Sequence, residues 1–263
     1  MNIQERMRLR LERRRARSVN PQAPLHDDPA VRENAVVDCG WGRLIFGQTF
    51  ADPGAMVALL CEEQTNRRDI ALYVPDPHVA VSLAPQEVFL DPSHTFRLWL
   101  DRYRPAHLRA RGFTIRMLNC MEDAEAVHNL YIRRHMVPPD AEFLWEHRAS
   151  RLLTYLVAED SETGQILGAV TGVDHKTAFG DPERGTSLWA LVVDAQASVP
   201  GIGQALVRQL AEHYQARGRA CMDLSVMHDN AQAIRLYQKL GFERVPVFAL
   251  KHKNPYNEPL FIG

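Results

Sequence analysis

Residues 187–242 read SLWALVVDAQASVPGIGQALVRQLAEHYQARGRACMDLSVMHDNAQAIRLYQKLGF, and the order of elements in this stretch decides the fold. LWALVVD (188–194) is apolar on both faces, the pattern of a central strand covered on two sides. Pro200 and then Gly201-Ile202-Gly203 follow, after which apolar residues recur four apart at Ile202, Leu206, Leu210 and Tyr214, so a helix with one buried face is expected. CMDLSVM (221–227) reads as a second strand. Asn230 precedes a second helix carrying Ala231, Ile234, Tyr237 and Leu240, and Gly241 stands where a left-handed cap belongs. Two glycines at a helix start let a ligand come close to the backbone, and the unpaired N–H groups there attract phosphate. A Gly-x-Gly alone serves equally well as a plain turn into a helix.

On the N-terminal side, TYLVAED (154–160) and QILGAVTGVD (165–174) flank the turn Ser161-Glu162-Thr163-Gly164 and form an expected hairpin, with a polar loop at 175–187. FTIRML (113–118) is an expected strand. MEDAEAVHNLYIRRHM (121–136) is an expected helix with acidic residues in its first turn, stopped by Val137-Pro138-Pro139, and DAEFLWEHRASRL (140–152) is a second. Earlier still, RLIFGQTF (43–50) reads as a strand and Asp52-Pro53 as the start of a helix through Met56, Leu59, Leu60 and Cys61. IALYV (70–74) and HVAVSL (78–83) read as strands separated by Asp76-Pro77, and 86–112 as an amphipathic connector. The expected class is α/β with a mixed sheet. The expected division is a basic arm and linker at 1–35, an N-terminal β-α-β-β unit with a helical connector at 36–112, and a larger domain at 113–263.

Composition narrows the setting. With 263 residues the chain is long enough to bury a sizeable core. No apolar run reaches the roughly 18 to 20 residues that a membrane helix needs, so no membrane partner is expected. Cys39, Cys61, Cys120 and Cys221 are far apart, with no CxxC pair and no histidine spaced to complete a zinc site. They read as reduced thiols in a cytoplasmic chain, and no metal is expected. The net charge of -1 conceals an arm, residues 1–20, with seven arginines against Glu5 and Glu12. Without aromatic partners this arm reads as a solvated tail rather than a nucleic-acid contact or an organelle transit peptide.

The run Val192-Val193-Asp194, then Gly201-Ile202-Gly203, a helix, a strand and N-x-x-A-x-x-L-Y-x-K-x-G-F (Asn230, Ala233, Leu236, Tyr237, Lys239, Gly241, Phe242) resembles the GNAT superfamily of acyl-CoA-dependent N-acyltransferases over about 113–252. The resemblance implies a sheet splayed between the strands at 188–194 and 221–227, with the pantetheine of acetyl-CoA in the gap, hydrogen-bonded like an added strand. It assigns the co-substrate to the backbone of Leu191, Val192 and Val193, to the helix start at Gly201, Ile202, Gly203, Gln204 and Ala205, and to Asn230. It makes a backbone N–H at 191–193 the oxyanion donor and Tyr237 the acid that protonates the leaving thiolate. Glu159, Asp174, His175 and Glu183 stand as equal candidates for the base, with His228 behind them. Ser198, Val199 and Pro200 depart from the family pattern, which has Gln or Arg and Gly-Lys around the first glycine; Arg208 is the cation that remains nearby.

CGWGRLIFGQTF (39–50), RDIALYVPDPHVAV (68–81), FLDPSHTFRLWL (89–100) and KHKNPYNEPLF (251–261) are similar to the acetyltransferase portion of bacterial N-acetylglutaminylglutamine synthetases. That similarity implies a small amine acceptor, glutamine or a glutaminyl dipeptide, used in osmoprotectant synthesis. It also implies fusion or association with an ATP-grasp ligase. The rivals are a protein N-terminal or lysine acetyltransferase and a non-catalytic acyl-CoA-binding or nucleic-acid-associated module.

Overall fold

A computed structural model describes residues 23–105 and 112–254. The basic arm at 1–20 lies outside these residues, as does most of the 251–261 stretch. The chain forms two mixed sheets. A seven-stranded sheet runs in the order β11-β5-β10-β9-β8-β7-β6, and a five-stranded sheet in the order β1-β2-β3-β12-β4.

The hairpin of β7 (Leu153–Asp160) and β8 (Ile166–Asp174) forms as the alternating sequence predicts. β6 (Phe113–Met117) pairs antiparallel with β7, and β9 (Gly185–Val193) with β8. β10 (Cys221–Met227) is parallel to β9, the only orientation the long connection through α6 (Ile202–Ala216) makes natural. α6 and α7 (Ala231–Lys239) cover one face of this sheet, where Leu188, Leu206, Leu210, Tyr214, Leu224 and Tyr237 share one core. α6 approaches β8 closely because Gly172 has no side chain. A Cβ there would lie 2.4 Å from the Tyr214 hydroxyl and 2.8 Å from Leu210 Cδ1.

The other face carries α3 (Met121–Arg133), α4 (Ala141–His147) and the five-stranded sheet, which together pack Trp41, Leu72, Tyr131, Leu144 and Ala249 against Val173 and Trp189. β1 (Val36–Asp38), β2 (Arg43–Phe46), β3 (Ile70–Leu72), β12 (Ala249–His252) and β4 (Val88–Leu90) build that second sheet. Its far face is covered by α1 (Pro53–Cys61) and α2 (Pro77–Leu83) over Ile45, Leu60, Val88 and Leu250.

Two readings of the N-terminal region need correction. HVAVSL is not a strand but belongs to α2, with Pro77 at its first position; Asp76-Pro77 repeats the helix start seen at Asp52-Pro53. The unit is therefore not β-α-β-β in that order. The stretch expected to be a helical connector holds β4 and β5 (Ser93–Trp99), and β5 lies inside the seven-stranded sheet, between β10 and β11 (Glu243–Val245). In exchange, β12 crosses back to the five-stranded sheet, so each sheet contains a strand from the opposite side of residue 112.

Gly172→Val tests the close approach of α6. The added side chain meets Tyr214 and Leu210 at once, and overpacking of this kind costs about 1–3 kcal/mol. A lower denaturation midpoint is expected; an unchanged midpoint would mean that α6 can move away without loss.

Candidate active site

β9 and β10 pair only over Gly185–Cys221, Thr186–Met222, Ser187–Asp223 and Leu188–Leu224. Beyond Leu188 they part, and β9 stays paired with β8 alone as far as Val193. The ladder to β8 is irregular at the point of parting, where Ala190 takes a left-handed φ of 53°. A non-glycine residue held there is strained, by about 1–3 kcal/mol, and persists only where its surroundings fix it. Here the Tyr131 hydroxyl, buried on α3, donates to the Ala190 carbonyl at 2.7 Å. The result is a fork with one edge of β9 left without a strand partner, open to an extended ligand.

A polar cluster fixes the closed end of the fork. Arg97 on β5 donates to both oxygens of Asp223 on β10, Nε and Nη2 each at 2.7 Å, and Tyr73 donates to Asp223 Oδ2 at 2.7 Å. Both charged side chains are buried. On β9 the Trp189 indole donates to Ser187 Oγ at 2.7 Å, and Ser187 Oγ lies 2.8 Å from His175 Nε2.

The fork opens into a narrow cleft with about 20 Å³ of free space, partly open to solvent. Leu188, Trp189 and Ala190 border it on β9, and Ser225, Val226 and Met227 on β10. Tyr237 reaches it from the α7 side of the sheet. Ile70, Asp91, Ser93, Ala249 and Lys251 close it on the other side, where the second sheet packs. Burial pushes the Tyr237 phenol up to about 12, and its hydroxyl makes no hydrogen bond among the described residues. Lys251 Nζ and Asp91 Oδ1 stand 2.8 Å apart, with side chains only 4% and 6% exposed.

Of the candidate acid and base residues, Tyr237 is the one that borders this cleft. Glu159 is bound to Arg116 beside β6. Asp174 caps α5 (His175–Phe179) through Thr177 N–H and pairs with Arg217 and Arg219. His175 is enclosed by Phe46, Tyr73 and Phe179, and burial holds its pKa below the ordinary value, so it is neutral. Glu183 accepts from Arg97 at 3.1 Å, and burial raises its pKa. His228 sits in the exposed turn after β10, 3.0 Å from the Pro92 carbonyl.

The expected co-substrate contacts divide in the same way. The fork begins at Trp189 and Ala190, just before Leu191, Val192 and Val193. Gly201, with φ of 89°, caps α6, and a Cβ on Gly203 would touch Val193 Cγ2 at 3.5 Å, so the helix start lies over the open end of β9. Ala205 N–H makes the first helical bond, to the Gly201 carbonyl at 3.0 Å, and the amides of Ile202, Gly203 and Gln204 precede the helical ladder. The Asn230 side chain is taken up in capping α7, accepting from Ala233 N–H at 3.1 Å. Arg208 lines a surface depression with Arg102, Tyr103, Arg104 and Lys239. Sequence reasoning missed Asp91, Ser93, Ser225 and Lys251, because their meeting depends on β5 pairing with β10 and on β12 returning to the second sheet.

The forked pair of parallel strands and the glycine-led helix over the open strand are the arrangement that the sequence resemblance implies. The comparisons agree. Residues 124–242 match the sequence profile of the Acetyltransferase (GNAT) family, so the chain carries a GNAT-family acetyltransferase domain and is an acyltransferase. The ribosomal protein bS18-alanine N-acetyltransferase of Escherichia coli is 25% identical over 125 residues, 48% of this chain and 78% of that protein. The fold is shared with a GCN5-related N-acetyltransferase from Sphaerobacter thermophilus, at a TM-score of 0.53 and 18% identity, covering 83% of this chain and 75% of that one. It is shared also with one from Kribbella flavida, at 0.53 and 13%, covering 85% and 91%. Among the described residues no group of three or more side chains is placed to hold a metal, and no helix is long and apolar enough to cross a membrane.

Asp223→Asn leaves Arg97 buried with half its partner gone. Breaking such a pair costs about 3–5 kcal/mol. A loss of that order in denaturant titration is expected, and a variant as stable as the parent would show that the cluster does not hold the closed end.

Proposed function

We propose that the protein transfers acetyl from acetyl-CoA to the primary amine of a small amino-acid-type acceptor. The observation that carries this reading is the closure of the fork by the second sheet, which sets Asp91, Ser93 and Lys251 on one wall of a narrow, otherwise largely apolar cleft. Pantetheine extends along the free edge of β9, and the pyrophosphate meets the amides of Ile202, Gly203 and Gln204 at the start of α6. The thioester lies in the fork between Ala190 and Ser225. The acceptor arrives from the Asp91 and Lys251 side, and the fraction of it that has lost the ammonium proton attacks the carbonyl carbon as the neutral amine. A backbone N–H beside the Ala190 bulge receives the oxyanion; as the intermediate collapses, the attacking nitrogen gives its surplus proton to Asp91, the C–S bond breaks, and the amide and the free thiolate form.

Tyr237 faces the same cleft from the opposite side of the sheet and supplies the thiolate's proton. Its raised pKa supports this role, since a phenol that ionises near 12 stays in its proton-donating form throughout the working range. The carboxylate that borders the fork is Asp91, in place of Glu159, Asp174 and Glu183. A second reading, acetylation of a protein N-terminus, is favoured by the relation to the bS18-alanine enzyme. Glutamine and glutaminylglutamine belong in the acceptor panel as the osmoprotectant-type candidates.

Release of CoA from acetyl-CoA, followed with a thiol reagent across amino acids, dipeptides and N-terminal peptides, tests the proposal. Small amines are expected to trigger release, and a response to peptides alone would favour the second reading. Tyr237→Phe is expected to lower kcat by about 10²-fold or more with acetyl-CoA binding retained. In the parent, kcat/KM should rise with pH as the acceptor amine loses its proton and should not fall below about pH 11, because the raised pKa keeps Tyr237 protonated there.

A further inference from the structure

We infer that Asp91 and Lys251 form a clamp for the head group of a free α-amino acid, Asp91 taking the α-ammonium and Lys251 the α-carboxylate. This rests on the acyl-transfer reading above and names its acceptor class.

Asp91 follows β4, and Lys251 lies on β12. Leu250 turns into the core beneath α1 and α2, so Ala249 and Lys251 face the seven-stranded sheet. A lysine and an aspartate sealed between two sheets are no better for stability than apolar residues of the same size. Their neighbours Ile70, Ala249 and Trp189 are such residues, yet the charged pair is placed on the wall of the fork. Each member also has capacity left. An ammonium has three donors, and the partner shown for Lys251 is one oxygen of Asp91; the other carboxylate oxygen has no hydrogen bond among the described residues.

Net charge selects the ligand. The pair is neutral as a unit, and a zwitterion is neutral as a unit. Laying one antiparallel to the other places opposite charges together and adds no uncompensated charge to a site screened from water. A peptide N-terminus brings the ammonium without the carboxylate, which leaves a surplus positive charge beside Lys251. Ser93, on the same wall, adds a hydroxyl within the cleft.

The experiment compares CoA release with an α-amino acid, its amide and a peptide beginning with the same residue, in the parent and in Lys251→Met. In the parent the acid should show a KM about 10- to 100-fold below that of the amide, the range expected for one charge-assisted contact. In Lys251→Met the KM for the acid should rise to that of the amide, while the KM for the amide does not rise. Asp91→Asn/Lys251→Met, which removes both charges together, should likewise treat acid and amide alike if Lys251→Met fails to fold; calorimetric binding of acetyl-CoA shows which variants are intact. Equal use of acid and amide by the parent, preference for the peptide, or an equal rise in both KM values overturns the clamp. The parent comparison decides without either variant. If no amine in the panel triggers release, the acyl-transfer reading fails first, an outcome distinct from release without preference.

Discussion

The parting of β9 and β10 after Leu188 and Leu224 is the constraint on which the rest of the molecule depends. Parallel neighbours normally stay paired, since an open edge leaves backbone groups unsatisfied. Here opposed anchors keep the strands apart at one end and together at the other. Below the fork, two short hydrogen bonds from Arg97 to Asp223 fasten β5 to β10 and a third, from Tyr73, ties the end of β3 to β10, all in a buried setting where each is stronger than in water. Above it, Tyr131 holds Ala190 in a conformation that turns β9 away. Opening the edge leaves an unfilled strand position, and that position is where the proposed chemistry lies.

The second sheet gives the fork its other wall. β5 joins the large sheet beside β10, and β12 returns to the small sheet beside β3 and β4, so the two layers are linked by strands rather than by side-chain contact alone. The loop from β4 into β5 places Asp91 at the boundary between the layers, and β12 brings Lys251 to the same place. On the face opposite α7 the cleft is thereby bordered by Asp91, Ser93 and Lys251 among apolar residues. Tyr237 and the Asp91–Lys251 pair approach the gap from opposite faces of one sheet.

Much of the main sheet was legible in the sequence. The both-faces-apolar run at 188–194, the four-residue repeat from Ile202 to Tyr214 and the hairpin at 154–174 each impose one periodicity, and each formed as read. HVAVSL misled because it is too short and too exposed to show a helical stripe, with Val79 and Leu83 both open to solvent, while its valines suit a strand. The Asp-Pro before it was the better guide. β5 was hidden for the opposite reason. Both faces of HTFRLW are covered, and one buried position is Arg97, so a strand appeared as an arginine-bearing amphipathic segment. Of the base candidates, Glu159, Asp174 and Glu183 are engaged in caps and ion pairs and His175 is enclosed by aromatic rings, engagements that no local pattern records. Asp91 and Lys251 stand 160 positions apart and meet only because of a strand exchange that no local pattern records.

Hydrogen exchange of the backbone amides, with and without acetyl-CoA, tests the fork as the co-substrate site most directly. Slower exchange is expected at Ala190 to Val193, on the free edge of β9, and at Ile202 to Gln204, at the start of α6, while β1 and β2 stay unchanged. Unaltered exchange in both segments at saturating acetyl-CoA, or protection confined to the five-stranded sheet, would contradict it.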